Sequence, residues 1–148
     1  MPGCIVEGAV IEKNCTLGPF CNVRQGTRLG ENCRIGDFVE LKNTSLGSGC
    51  KAAHLAYVGD ADVGNCVNIG CGVVFANYDG RRKNRSSVGD RAFIGCNSNI
   101  IAPARIGNGA YIAAGTQVCG DIPDGSLAVG RPELVIKQNG ASGRYLDG

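Results

Sequence analysis

Residues 17–41 read L-G-P-F-C-N-V-R-Q-G-T-R-L-G-E-N-C-R-I-G-D-F-V-E-L, with Leu17, Val23, Leu29, Ile35 and Leu41 standing six apart. The same step runs back through Ile11 to Ile5. Forward, a five-residue step restarts the column at Leu46, Ala52 and Val58, and another at Val63, Ile69 and Phe75. After a polar interruption it returns at Val88, Ile94, Ile100, Ile106, Ile112 and Val118. A helix repeats its apolar positions every three to four residues and an amphipathic strand every two. A six-residue period fits neither alone. It predicts an all-β fold, a solenoid of very short parallel strands in which each hexapeptide forms one side of a coil.

A second column supports this. Four positions after the aliphatic residues come Ala9, Cys15, Cys21, Thr27, Cys33, Val39, Ser45, Cys50, Ala56, Val67 and their successors, nearly all small, with Asp62 the exception where the register breaks. Small side chains are what an interior shared by neighbouring coils requires. Gly directly follows the aliphatic residue at 18, 30, 36, 47, 59, 64, 70, 89, 95 and 107, so the 24 glycines read as corners and not as a flexible linker.

The composition sets bounds on function. At 148 residues the chain is one domain, and 5% aromatic residues with no Trp suit a narrow core. A net charge of +2 gives no argument for nucleic acid or a membrane surface. No stretch has a signal-peptide pattern or the roughly 18 apolar residues of a spanning helix. Of nine cysteines, four (Cys15, Cys21, Cys33, Cys50) occupy the small-residue column as compact hydrophobes. None are spaced C-x-x-C and there is one histidine, so no metal site is expected and the thiols read as reduced, in a cytoplasmic protein.

Function in a solenoid belongs where the repeat is given up. One break is Lys51 to Tyr57, which holds His54, the only imidazole. It is either a packed or surface residue without a role or a base suited to an amine or hydroxyl nucleophile near neutrality. A second is Asn77 to Ser87, where Arg81, Arg82, Lys83 and Arg85 are either a solvated excursion or phosphate ligands. The third is Asp121 to Gly125, read as the end of the register.

The stretches F-V-E-L-K (38–42), L-G-S-G-C-K-A-A-H-L-A-Y-V-G-D-A (46–61), V-N-I-G (67–70) and N-Y-D-G (77–80) carry a specific resemblance. In order and spacing they are similar to the acetyltransferase domain of the bifunctional N-acetylglucosamine-1-phosphate uridyltransferase/glucosamine-1-phosphate acetyltransferase family. The likeness runs from about Leu17 to Arg131. It implies a left-handed parallel β-helix with an extended loop, a homotrimer, and acetyl transfer from acetyl-CoA to the amino group of glucosamine 1-phosphate. By the same resemblance His54 is the general base. Arg24, Lys42 and Lys83 fall on the sugar phosphate, and Tyr57, Asn68 and Asn77 on the sugar, with Tyr78 adjoining. Ala114 and Arg131 fall on acetyl-CoA, as do Cys71 and Cys96, which stand where the family has Ala and Ser.

The resemblance places the β-helix and its exit segment in residues 1–136 and a tail in 137–148, with Gly140 to Gly148 expected to fray. Nothing corresponds to the uridyl-transfer domain, so that activity is not expected of this chain. The alternatives are acyl transfer to another amino sugar or nucleotide sugar, or a silent trimeric scaffold. One histidine argues against a zinc carbonic anhydrase on this fold. The absence of a Thr ladder argues against an ice-binding solenoid.

Overall fold

A computed structural model describes residues 3–139. Within each repeat three residues alternate inward, outward, inward. Thr27 and Leu29 are buried while Arg28 between them is exposed, and Cys33 and Ile35 flank exposed Arg34 in the same way. That alternation defines a strand, and three residues are all a side of the coil needs. Among the described residues there is no helix. There are seventeen strands, paired in parallel into one continuous sheet. The chain winds as a left-handed parallel β-helix.

The inward residues stack into three ladders. The first is Val6, Val23, Leu41, Val58, Phe75, Ile100 and Val118. The second is Ile11, Leu29, Leu46, Val63, Val88, Ile106 and Ile122. The third is Leu17, Ile35, Ala52, Ile69, Ile94, Ile112 and Ala128. From the second coil to the sixth these residues are buried, so each coil shields its neighbours and stability accrues by stacking. Coils are offset by 18 residues where three full hexapeptides make a turn (Thr16 against Arg34) and by 17 where one has lost a residue (Arg34 against Lys51). The offset is 25 where the polar excursion intervenes (Asn68 against Phe93).

The register corrects three readings of the sequence. Val6, not Ile5, stands opposite Val23, because the first coil also contains a five-residue step. The small column is tied to the aliphatic residue that follows it, two positions on. After a short step Thr44 and Ala61 are therefore buried in place of Ser45 and Asp62, and Asp62 points outward. The register also continues past Asp121. Ile122, a shorter step after Val118, and Ala128, a full six residues further on, complete the second and third ladders, and Leu127–Ala128 is the last strand. Residues 129–139 carry no strand and are largely exposed; Gly140 to Gly148 lie outside the described residues.

Two kinds of glycine emerge. Gly36 has no left-handed backbone, but a Cβ there would fall on the carbonyl oxygen of Ala53 in the next coil, so the tight turn admits only hydrogen. The left-handed corners are a separate set. One runs through Asn14 (φ 60°), Asn32 (60°), Gly49 (73°) and Cys66 (56°), and another through Phe20 (53°), Phe38 (57°), Leu55 (27°) and Gly72 (75°). Bulky residues at positive φ cost of order 1–3 kcal/mol each, and such strain concentrates at functional places.

Most buried hydroxyls bond to the next coil, as when Thr44 Oγ1 donates to the Ala61 carbonyl at 2.7 Å. Thr27 Oγ1 is buried with no partner. Replacing Thr27 with Val removes that unmet hydroxyl at nearly constant shape and is expected to raise stability by about 1 kcal/mol in denaturant titration.

Candidate active site

One face of the solenoid carries both sets of candidate residues. It is built on the strands Arg34–Lys42 and Lys51–Gly59, whose register pairs Asp37 with His54, Glu40 with Tyr57 and Lys42 with Gly59. At one edge three cations converge: Arg24, Lys42 and Lys83 line a single cavity with Gln25, Asn43 and Asp60. The Lys83 ammonium beside it, with Arg24 further off, holds Lys42 below the usual lysine range. The cavity edge is therefore rich in positive charge, with Glu7 and Asp60 the carboxylates in the same lining. Arg24 is held at 2.7 Å by Glu40.

Beneath this cavity a polar ladder crosses three coils. The Asp60 carboxylate accepts from Asn43 Nδ2 at 2.5 Å and from Asn77 Nδ2 at 2.6 Å, and Asn77 also donates to the Tyr57 hydroxyl at 3.3 Å. Asp60 and Asn77 are both buried. A Cβ on Gly59 would strike the Tyr57 hydroxyl and the Asn77 amide, so this glycine is what lets the two side chains meet.

The basic excursion is a small hairpin. Tyr78 bridges to Lys83, and Asn84 N–H donates to the Asn77 carbonyl at 2.7 Å. Asp79 accepts from the backbone N–H groups of Arg81 and Arg82 and from the Asn84 amide. The Arg82 N–H, then the Asn84 amide and the Arg81 N–H, draw its carboxyl down to about 2. Of the four basic residues only Lys83 lines the anion cavity. Arg85 grips Asp62 through Nε and Nη2, each at 2.6 Å, and reaches the carbonyls of Asn43 and Ala61. It fastens the loop exit and is not available to a phosphate.

That grip has a pH signature. Arg85 lowers the Asp62 carboxyl below its usual range. Its stabilisation is therefore fully present above the ordinary aspartate value of about 3.9 and lost as pH falls through the lower folded value. Acid unfolding of Arg85→Ala, followed by circular dichroism, is expected to lack this part of the pH dependence.

At the other edge a corner ladder holds the remaining candidates. The strand registers put His54 opposite Cys71, Cys71 opposite Cys96 and Cys96 opposite Ala114. The corner bonds agree: Gly72 N–H donates to Leu55 O at 2.6 Å, Asn97 N–H to Cys71 O at 2.8 Å and Gly115 N–H to Cys96 O at 2.8 Å. Arg131 side-chain carbons lie 3.7 Å from where a Cβ on Gly115 would sit. His54 Nδ1 is 2.8 Å from Asp37 Oδ1 and the imidazole is 61% exposed. Asn68 lies on the adjoining face between Lys51 and Phe93, away from the anion cavity within one chain.

The fold thus gathers Arg24, Lys42 and Lys83, links Tyr57 to Asn77, and aligns His54, Cys71, Cys96, Ala114 and Arg131 along one corner. Asp37, Glu40, Asn43 and Asp60 escaped the sequence reading. Their signal is a spacing of one short coil: 37 to 54, and 43 to 60 to 77.

The bacterial transferase hexapeptide model (six repeats) matches residues 8–43 and 85–120. Bifunctional GlmU of Aquifex aeolicus is 56% identical over 131 residues, covering 88% of this chain and 28% of that protein. GlmU of Brevibacillus brevis is 52% identical over 127 residues, covering 86% of this chain and 28% of that protein. The chain therefore spans less than a third of the curated relatives it matches. Among solved structures, an Arabidopsis UDP-N-acetylglucosamine acyltransferase superimposes with a TM-score of 0.63 at 21% identity, covering 87% of this chain and 58% of that one. That likeness bears on the fold alone. From its repeats, its coil and its relatives, the chain carries bacterial transferase hexapeptide repeats and is similar, over nearly nine-tenths of its length, to part of GlmU.

Proposed function

We propose that this chain is an N-acetyltransferase that moves the acetyl group of acetyl-CoA to the amino group of glucosamine 1-phosphate. The observation that carries the reading is that the chain brings three cations, Arg24, Lys42 and Lys83, to one cavity and also presents a single exposed imidazole. A phosphate directly on the acceptor suits the cations, and an amine suits the base. His54 takes a proton from the acceptor's ammonium, and the neutral nitrogen attacks the thioester carbonyl carbon. The carbon–sulfur bond then breaks and the CoA thiolate leaves, taking up a proton. Positioning and one base supply most of what this reaction needs. The corner ladder through Cys71, Cys96 and Ala114 to Arg131 is the assigned track for acetyl-CoA. The similarity to GlmU of Aquifex aeolicus and of Brevibacillus brevis supports the assignment.

The geometry also argues for a site completed between copies, the homotrimer of the family. Five residue steps lead from His54 to Gly59, the partner of Lys42, roughly 16 Å along the backbone at about 3.3 Å per residue. In glucosamine 1-phosphate the amine and phosphate sit on adjacent ring carbons. One chain's imidazole and its own anion cavity are too far apart for both, so the cations of one copy serve the imidazole of the next.

The test is thiol release from acetyl-CoA with glucosamine 1-phosphate, glucosamine 6-phosphate or a UDP-linked amino sugar as acceptor. Release dependent on glucosamine 1-phosphate is expected. Release only with another acceptor would replace the substrate, and none with any acceptor would favour a scaffold. Arg24→Ala is expected to raise KM for glucosamine 1-phosphate by about 10- to 100-fold with a smaller change in kcat, the effect of losing a charge-assisted phosphate contact worth about 1.5–3 kcal/mol.

A further inference from the structure

We propose that Asp37 is the positioning residue of His54, fixing the imidazole with its proton on Nδ1 so that the Nε2 lone pair faces the acceptor's ammonium. The inference deepens the acetyl-transfer reading and rests on it.

The contact is direct, with His54 Nδ1 and Asp37 Oδ1 2.8 Å apart. An ionised carboxylate accepts hydrogen bonds and cannot donate them, so the hydrogen in this contact belongs to Nδ1. The imidazole, and after it Asp37's own backbone N–H, hold the Asp37 carboxyl below the usual aspartate range, which keeps it ionised near neutrality. A neutral ring protonated on Nδ1 has one lone pair left, on Nε2.

The fold supplies the alignment. Asp37 and His54 are register partners on adjacent coils, and each directly precedes a left-handed corner residue, Phe38 or Leu55. Their backbones therefore leave the face at equivalent points. Among the described residues no other side chain bonds to His54. The ionisable groups around it are few. Asp37 lies on one neighbouring coil, Cys71 on the next rung of the other and Tyr57 further along its own strand, while Glu40 is held by Arg24. When Nε2 takes the ammonium proton, the imidazolium forms against the Asp37 carboxylate, which stays ionised throughout.

The chain has a single histidine, so a protein labelled with ¹⁵N-histidine reports this imidazole alone. The wild type is expected to show the Nδ1–H tautomer. In Asp37→Ala that tautomer is expected to give way to Nε2–H, with kcat down at least tenfold and KM for the acceptor within twofold. Asp37→Glu, which restores a carboxylate, is expected to recover part of kcat and of the Nδ1–H signal. Wild-type protein with its proton on Nε2, or Asp37→Ala with unchanged kcat and tautomer, would overturn the proposal. If the wild type transfers no acetyl to any acceptor, the reaction reading fails while the ¹⁵N spectrum still decides the tautomer.

Discussion

His54→Ala is expected to lower acetyl transfer by about 10²- to 10⁴-fold, the usual contribution of a positioned general base, equivalent to roughly 3–5 kcal/mol of barrier. The loss should fall on kcat, because an ammonium acceptor can still bind through its phosphate but cannot attack until it is neutral. The melting temperature should hardly move. The imidazole is 61% exposed and, among the described residues, its side-chain partner is Asp37 at the surface, so no core contact is removed. Steady-state kinetics with glucosamine 1-phosphate, beside a thermal melt, separate the two effects. Full activity in the variant would reject His54 as the base. Equal loss of activity and of the folded state would mean that the corner had been disturbed.

The period was legible because it is a consequence of packing. A side chain that must reach the same interior once per face recurs at a fixed step, and Leu29, Leu46 and Val63 show it even across short coils. The errors have the same origin. Counting forward from the preceding aliphatic residue put Ser45 in the small column and left Asp62 as an exception to it, whereas the strand is anchored to the residue that follows, and the shortened corner moves Thr44 and Ala61 inward. Ile5 was misplaced because both it and Val6 are aliphatic, and only pairing with Val23 chooses between them. At the site, the resemblance supplies the candidate residues but not their partnerships. Arg85 looked as suitable for phosphate as Lys83, and only the outward turn of Asp62 shows that it is engaged. Asp37, Asn43 and Asp60 are ordinary turn residues in one dimension. They acquire roles when coils of 17 residues bring 37 against 54 and 43 against 60.

Phe75→Ala is expected to destabilise the fold by about 3–5 kcal/mol, the range for removing a buried phenyl group from a core. Phe75 is 1% exposed and is the only aromatic residue in the inward ladders, stacked against Ile100 on the following coil. The ring has a second task. Its strand ends at Ala76, and the next residue is Asn77, which anchors the hairpin to Asp60 and Tyr57. A cavity here loosens the floor from which Lys83 reaches the anion cavity. In a stacked repeat the damage is shared mainly with adjacent coils. The expected result is therefore a melting temperature lower by roughly 10–15 °C, with KM for glucosamine 1-phosphate raised in the protein that remains folded. Phe75→Leu, which keeps most of the volume, should lose far less on both measures. A Phe75→Ala protein that melts with the wild type would show that the ladder does not hold the coils together. One that loses stability but keeps its KM would show that the hairpin is held by its polar bonds, Asn77 to Asp60 and Arg85 to Asp62, without help from the ring.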